Sequence, residues 1–482
     1  MSDVGEIGRK AGRGLRWSLL GNLVMKAGSF VMSLILARLL GAPDFGVFAI
    51  ALAASQFVVY INDAGVISAV VQWRGKLEEI APTATVVAIL SSVTLYALFW
   101  VIAPFYARLA GSEDAIWVIR ILMATNLVYG LTAVRSAALM REFQQDKLAW
   151  ANLAGFGVNA TVSIILAANG AGAYSFAWGQ LGGAALTGVL VVVLARVRIE
   201  LGFDRALAAR LLAFGLPLCL SLGIEGLLLN VDSVIVGDVL GPAMLGFYLL
   251  AFNISSWVPG LIGTAMRYVA LPSFARLSEE GGESLRAGIR QAVPLLANLV
   301  LPIAVLMGTL APAVVEFLYG ASWLPSAQVL RFLAIVMVVR MLTLLITDIL
   351  AASGATKSTM WVNLCWAVSL VPALLIGARL DGIEGAAVAH AIIAVVVALP
   401  LLGVALHRSG VPVGLFGAGL ARPLLAAAPA GIVMAGLAMV LDGAFVELCV
   451  AGGAGLLVFA LVAVPRAVLK RLVRQRGAHA GS

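Results

Sequence analysis

The stretch LLGAPDFGVFAIALAAS, Leu39–Ser55, recurs two hundred residues later as VLGPAMLGFYLLAFNIS, Val239–Ser255. In both copies a short glycine-containing turn separates two apolar segments, as at a corner between two helices. Several identities fall at one constant offset and align with the surrounding apolar pattern, so we interpret them as a duplication and not as chance. The identical residues are Leu40, Gly41, Gly46, Ala51 and Ser55 in the first copy and Leu240, Gly241, Gly246, Ala251 and Ser255 in the second.

The composition around these corners is that of a polytopic membrane protein. Of the 482 residues, 62% are hydrophobic and 12% are charged, and the mean hydropathy is +1.04. A soluble domain has only about half apolar residues and about a quarter charged ones. The basic N-terminal segment runs into an apolar stretch that is longer than a signal-peptide core, so we expect it to be retained as the first span.

Apolar windows of roughly 20 residues predict an all-α chain with about 14 transmembrane helices. We expect an N-terminal six-helix lobe at 1–200, a C-terminal six-helix lobe at 201–410, and two additional helices with a basic cytoplasmic tail at 411–482. Because each lobe has an even number of helices, both should have the same orientation, related by an axis along the membrane normal. The predicted spans are 15–37, 46–71, 80–104, 115–138, 148–168, 173–195, 211–236, 243–266, 291–318, 326–351, 358–379, 384–406, 417–441 and 445–465.

The placement of basic residues predicts the orientation of these spans. Of the 32 lysines and arginines, 24 fall in segments on the same side as the N-terminus, and three, Arg38, Arg108 and Arg379, fall on the other. Positively charged loops are retained in the cytoplasm. We therefore predict that both termini are cytoplasmic. The same pattern explains the net charge of +8 without nucleic acid as a partner.

The motifs of several membrane-associated functions are absent from the sequence. The loops on the outer side are short, the chain has three histidines, and it contains no GxSxG, no GK[ST] phosphate loop and no cluster of metal ligands. No short re-entrant filter segment of a channel is visible. We therefore expect no catalytic residues, no metal and no cofactor, and we interpret the chain as a carrier. Repeated halves are typical of alternating-access transporters.

Several stretches resemble the oligosaccharide flippases, the polysaccharide-export branch of the multidrug/oligosaccharidyl-lipid/polysaccharide superfamily. The resemblance is carried by GLRWSLLGNLVMKAGSFVMSLILARLLGAPDFGVFAIALAASQFVVYINDAGVISAVVQ, by ALPSFARLSEEGGESLRAGIRQAV and by LYGASWLPSAQVLRFLAI. It covers most of residues 10–360. The resemblance implies a flippase that moves undecaprenyl-diphosphate-linked repeat units from the inner to the outer leaflet for exopolysaccharide, capsule or lipopolysaccharide O-antigen synthesis. It also implies a location in a bacterial cytoplasmic (inner) membrane.

Three basic residues within the predicted spans are candidates for binding such a cargo. Lys26 lies near the midplane of the first span, and Arg340 lies at a similar depth in the tenth. Arg120, towards the outer side, is assigned to the same set. A charge inside the bilayer costs about 2.5–3.5 kcal/mol on insertion scales and usually faces a cavity or a partner. Lysine offers a point charge and arginine a bidentate fork to a diphosphate.

Acidic residues within or near the spans are candidates for gating or ion pairs. Glu225 lies beside the position equivalent to Lys26 at the offset of two hundred, so the two could face each other as a gate or as a structural pair. Asp63 and Asp232 are assigned to the same group. Arg120 and Asp232 could equally form interfacial or gating pairs.

Other functions stay open at this point. A multidrug or organic-cation antiporter of the same superfamily would need an acidic, aromatic-rich cavity, which Lys26 and Arg340 disfavour. A major-facilitator carrier would need a basic motif after the second helix, where the chain has WRGKLEEIAP. A non-transporting scaffold for glycan assembly would tolerate neutral residues at both positions. The expected partners are a polyprenyl-diphosphate-linked oligosaccharide, the bilayer, and a polysaccharide polymerase with its assembly proteins, around a monomeric chain.

Overall fold

The computed structural model describes residues 2–62, 67, 70–71, 73, 75, 77–142, 144–195, 202–213, 230–353 and 355–463. These residues form helices joined by short turns and contain no β-strand, which confirms the all-α prediction. The gate candidates Asp63 and Glu225 lie outside the described residues, so their assignment stays a prediction.

The chain divides into two compact units, Met1–Leu249 and Leu250–Ser482. The predicted lobe boundaries at 200 and 410 differ from this division and stay a prediction. The first unit contains α1 Ser2–Leu39, α2 Ala42–Asn62, α3 Leu77–Leu109, α4 Ala115–Met123, α5 Thr125–Arg141, α6 Gln145–Ala168, α7 Tyr174–Ala195, α8 205–213, and the first part of α9 Val231–Val258.

The second unit begins within α9, which continues into a π-helical turn at Pro259–Gly263. Its other helices are α10 Thr264–Glu280, α11 Gly282–Thr309, α12 Ala311–Tyr319, α13 Pro325–Ala352, α14 Thr356–Ile393, α15 Leu399–Arg408, α16 Gly414–Ala438, α17 Ala444–Val446 and α18 Gly453–Ala463. A 3-10 turn at Ala321–Trp323 and π-helical turns at Ala394–Ala398 and Glu447–Gly452 join some of them.

Eleven helical segments among the described residues are long and apolar enough to cross a membrane. Two of these are each a pair of helices joined across non-helical backbone. Gly241 interrupts α9 with φ +81°, and Asp381–Gly382 interrupts α14. The second break falls between the predicted spans 358–379 and 384–406. The chain is thus a multi-pass membrane protein, and the number of fourteen spans stays a prediction.

The two copies of the repeated corner pack against each other within the first unit. A Cβ atom on Gly46 would overlap the backbone carbonyl of Pro242, and one on Gly246 would overlap that of Ala42. Positions 42 and 46 correspond to 242 and 246, so the contact is reciprocal, as between two related copies of one motif. Small residues let helix backbones approach closely in lipid, where packing replaces the hydrophobic effect as the driving force.

In the second unit, the two C-terminal helices of the described chain pack along α11. Gly419 on α16 faces Val293, and Gly431 faces Val305 and Thr309. Ala297 and Leu301 of α11 share a buried cluster with residues of α16 and α18, namely Ala426, Ala430, Phe459 and Ala463. The additional pair of helices is thereby attached to the core of the second unit.

The reciprocal corner predicts that Gly46→Ala and Gly246→Ala each lower the thermal stability of the purified protein. An added methyl group would have to displace backbone, and overpacking of this kind costs typically 1–3 kcal/mol. Gly157→Ala is the matched control, because Gly157 also lies in a membrane helix and a Cβ there meets no atom within 4 Å. Thermal unfolding in detergent measures the effect. Equal midpoints for all three variants would contradict the close crossing.

Candidate functional site

Helix α1 carries the first candidate, Lys26, on a surface that is largely exposed. The segment Gly21–Leu39 is apolar enough to span a membrane, and only 11% of its most apolar window is buried. The helix contacts α6, where Gly28 lies against the ring of Phe156. Lys26 itself is exposed. At 1.5 Å per residue it lies about 20 Å from the end of α1 at Leu39, well within the bilayer.

The polar residues of α1 share one face with Lys26. At 100° per residue, Asn22, Lys26, Ser29 and Ser33 lie within an arc of about 60°. Ser29 and Lys26 are exposed, and Asn22 and Ser33 are partly exposed. On the opposite side of the helix, Val24, Val31 and Ile35 are exposed and apolar. We refer to the first set as the α1 polar stripe.

The two exposed faces of α1 require different surroundings. An apolar face with exposed valines suits lipid, whereas a stripe with a lysine at its centre is costly there. Polar residues of a spanning helix usually face a water-filled cavity or a protein partner. The stripe therefore favours the prediction that Lys26 faces an aqueous path.

Arg340 lies at the middle of α13, about 18 Å from the end of the helix at Ala352. Its side chain is partly buried, and its guanidinium carbon lies 5.4 Å from the centroid of the Phe252 ring on α9. It also interacts electrostatically with His390 on α14, which is buried. Three helices of the second unit therefore meet around this guanidinium. A cation over an aromatic ring is attracted by the negative face of that ring.

Arg120 lies among aromatic side chains of α3 and α4. Its guanidinium carbon lies 4.4 Å from the centroid of Trp100 and 4.7 Å from that of Trp117. Its Nη2 donates to the backbone carbonyl of Trp100 at 3.3 Å. All of these contacts are on α3 and α4, and none involves α1 or Lys26. The assignment of Arg120 to the cargo stays a prediction.

Asp232, the remaining gate candidate, is buried at the start of α9, and its Oδ1 accepts a hydrogen bond from the backbone N–H of Ser233 at 2.9 Å. Lys26 lies in the first compact unit and Arg340 lies in the second. The structure places Arg120 in an aromatic cluster.

Sequence reasoning missed the residues that accompany the two cations. The α1 polar stripe was readable from the helical spacing of Asn22, Ser29 and Ser33. Phe252 and the exposed Asn253 lie in the second copy of the repeat, where the first copy has Leu52 and Ala53. A difference between the two copies was therefore the signal for them.

A family model described as polysaccharide biosynthesis protein matches residues 35–328. The match includes both corners of the repeat. It begins after Lys26 and ends before Arg340, so the family match does not cover the two midplane cations.

Two relatives share most of their length with the chain. One is the lipopolysaccharide biosynthesis protein WzxC of Escherichia coli (strain K12), 22% identical over 380 residues, which are 77% of this chain and 76% of the relative. The other is the teichuronic acid biosynthesis protein TuaB of Bacillus subtilis (strain 168), 23% identical over 76% of this chain and 77% of the relative.

The fold is similar to that of the lipid II flippase MurJ in an inward closed conformation. The TM-score is 0.74 at 14% sequence identity, and the alignment covers 92% of this chain and 98% of that structure. At this identity the likeness concerns the fold alone. It extends over nearly all of both chains.

The polar stripe predicts a labelling pattern along α1. In a background with Cys219, Cys365 and Cys449 replaced by alanine, Ser29→Cys and Ser33→Cys should react with a water-soluble maleimide several-fold faster than Val24→Cys and Val31→Cys. The reason is that the thiolate attacks the maleimide, and the thiolate forms only where water reaches the thiol. Mass spectrometry of the labelled protein measures the rates. Equal rates on both faces would contradict the assignment of the stripe to an aqueous path.

Proposed function

Since the chain belongs to the polysaccharide biosynthesis protein family, we propose that it is a flippase for lipid-linked oligosaccharides. Its cargo is a polyprenyl diphosphate that carries an oligosaccharide repeat unit, moved from the inner to the outer leaflet of the bacterial cytoplasmic membrane. The observation that carries the proposal is the exposed Lys26 at the centre of the α1 polar stripe. The names of the relatives and the flippase-like fold support it.

The chemistry of the cargo matches the chemistry of the candidate residues. A diphosphate carries about two negative charges and several acceptor oxygens, whereas the polyprenyl tail is stable in lipid. Lys26 supplies a compact positive charge with three donors, and Arg340 supplies a planar fork with five. The ring of Phe252 lies beside that fork, with its centroid 5.4 Å from the guanidinium carbon. We propose that each residue contacts the headgroup during transport.

The transport step requires only that the headgroup be exposed first to one side and then to the other. We propose alternating access around the midplane, with the tail remaining in lipid. An organic-cation exporter would need acidic groups at this depth. Within Gly21–Leu39, however, the charged residues are Lys26 and Arg38, and both are basic. The charge on α1 therefore favours an anionic cargo over a cationic one.

Neutralising either cation should stop transport without unfolding the protein. We expect Lys26→Gln and Arg340→Gln each to lower the flipping rate in reconstituted vesicles at least about tenfold, because a charge-assisted hydrogen bond contributes about 1.5–3 kcal/mol. The measurement is the fraction of lipid-linked oligosaccharide that becomes accessible to an added glycosidase. Lys26→Arg should retain most of the rate.

Arg331→Gln is the matched control, because Arg331 lies on the same helix as Arg340, about 180° around it, and is exposed. Its flipping rate should equal that of the unmodified protein. Full activity of both Lys26→Gln and Arg340→Gln would contradict the proposed role of the cations. A scaffold for glycan assembly would give a different pair of results. The unmodified protein would flip no lipid, and cells with the variants would grow like the wild type.

The charge of the cargo predicts a dependence on membrane voltage. Outward movement of two negative charges across an inside-negative membrane is favoured by about 2.3 kcal/mol per charge per 100 mV. In vesicles with an imposed potassium diffusion potential, we expect faster export when the donor side is negative. Reversal of the potential should slow it. An unchanged rate after reversal would contradict voltage coupling, although not the identity of the cargo.

A further inference from the structure

An aromatic and cationic cluster lies at the junction of α3 and α4 in the first unit. Arg120 is held between two tryptophan rings, with its guanidinium carbon 4.4 Å from the centroid of Trp100 and 4.7 Å from that of Trp117. The two rings meet edge to face at 5.9 Å, and Tyr96 adjoins Trp100 at 5.7 Å. Both tryptophans are exposed, Trp100 by 39% and Trp117 by 53%.

The hydrogen bonds within the protein satisfy Arg120 only in part. One proton of Nη2 is donated to the carbonyl of Trp100, and Nε is buried without an acceptor. Among the described residues, no carboxylate forms an ion pair with Arg120. The guanidinium has five donors and cannot lose its charge in a protein. Aromatic faces stabilise the positive charge, but they accept none of the remaining N–H groups in its plane.

The surface beside this cluster is apolar and exposed. Val101 is 76% exposed and Phe105 is 68% exposed, and both lie on α3 within one and a half turns of Trp100. Trp100 is about 14 Å from the end of α3 at Leu109, and Trp117 is in the first turn of α4. Tryptophan is typical of the level at which headgroups meet hydrocarbon. The cluster therefore lies at a membrane interface, next to a surface that suits acyl chains.

We propose that Arg120, Trp100 and Trp117 form a binding site for the phosphate group of an anionic membrane lipid. The terminal nitrogens of Arg120 donate to phosphate oxygens, and the tryptophans hold the guanidinium plane in position. The acyl chains lie along Val101 and Phe105. Lipid phosphate supplies the counter-charge that the described residues do not, in a region where an uncompensated charge is costly. The site stands independently of the proposed transport function.

Two kinds of membrane lipid present this phosphate chemistry: a glycerophospholipid such as phosphatidylglycerol, and a polyprenyl diphosphate. We assign the site to the glycerophospholipid. Its neighbours Val101 and Phe105 are apolar and exposed, as expected of a surface that bulk lipid covers. The α1 polar stripe, by contrast, gives Lys26 polar neighbours along its helix.

The test is native mass spectrometry of the full-length protein, delipidated in detergent and titrated with phosphatidylglycerol or, in a second arm, with undecaprenyl diphosphate. Arg120→Gln should weaken phosphatidylglycerol binding about tenfold, because a charge-assisted phosphate contact is lost. Arg108→Gln is the matched control. Arg108 is an exposed arginine near the same end of α3, and its Nε donates to the carbonyl of Pro104 in its own helix. Arg108→Gln should leave phosphatidylglycerol binding unchanged.

Trp117→Leu keeps the proposal testable if Arg120→Gln does not fold. Trp117 is more than half exposed, so its replacement removes one side of the aromatic clamp at the surface. We expect several-fold weaker phosphatidylglycerol binding by this variant as well. Phosphatidylglycerol affinity that Arg120→Gln and Trp117→Leu leave unchanged overturns the proposal. A loss confined to undecaprenyl diphosphate also overturns it and assigns the cluster to the cargo.

Discussion

A charge inside the hydrocarbon layer needs water, a counter-charge or a bound ligand. The functional interpretation of the basic residues in this chain depends on this requirement. The surroundings of Lys26 and Arg340 within the spans, and of Arg120 near a membrane interface, suggest three different ways of meeting it. Lys26 lies exposed on a polar stripe, Arg340 lies beside the ring of Phe252 near the buried His390, and Arg120 lies between two tryptophans. The same constraint that makes these residues costly also makes each of them a candidate binding group.

Small residues let some of the helices in this fold cross closely. The duplicated corner is an example, since Gly46 and Gly246 each remove a side chain at the point where the other copy crosses. The reciprocal contact gives a physical reason for the repetition in sequence: one motif supplies both sides of a single crossing. The second copy also departs from the first at Phe252, whose ring lies beside Arg340.

Much of this organisation could be predicted from the sequence, and the limits have clear physical causes. Hydropathy predicted an all-helical membrane chain and a boundary between spans at 379 and 384, where the structure breaks the helix at Asp381–Gly382, because this signal is local. The interruption at Ala124, between α4 and α5, could not be predicted in this way, because no glycine or proline lies at that position. Depth alone selected Arg120 as a cargo contact. Its neighbour Trp100 is twenty residues away in the chain, and only the packing of α3 on α4 brings the two together.

The central claim is that the midplane cations bind an anionic lipid-linked glycan. The most direct measurement is mass spectrometry of the lipids that co-purify with the protein from cells that make the glycan. The account predicts a polyprenyl diphosphate glycan with the unmodified protein and a marked depletion of it when Lys26 and Arg340 are both glutamine. A cationic amphiphile in its place, or equal amounts of the glycan lipid in both preparations, would contradict the account.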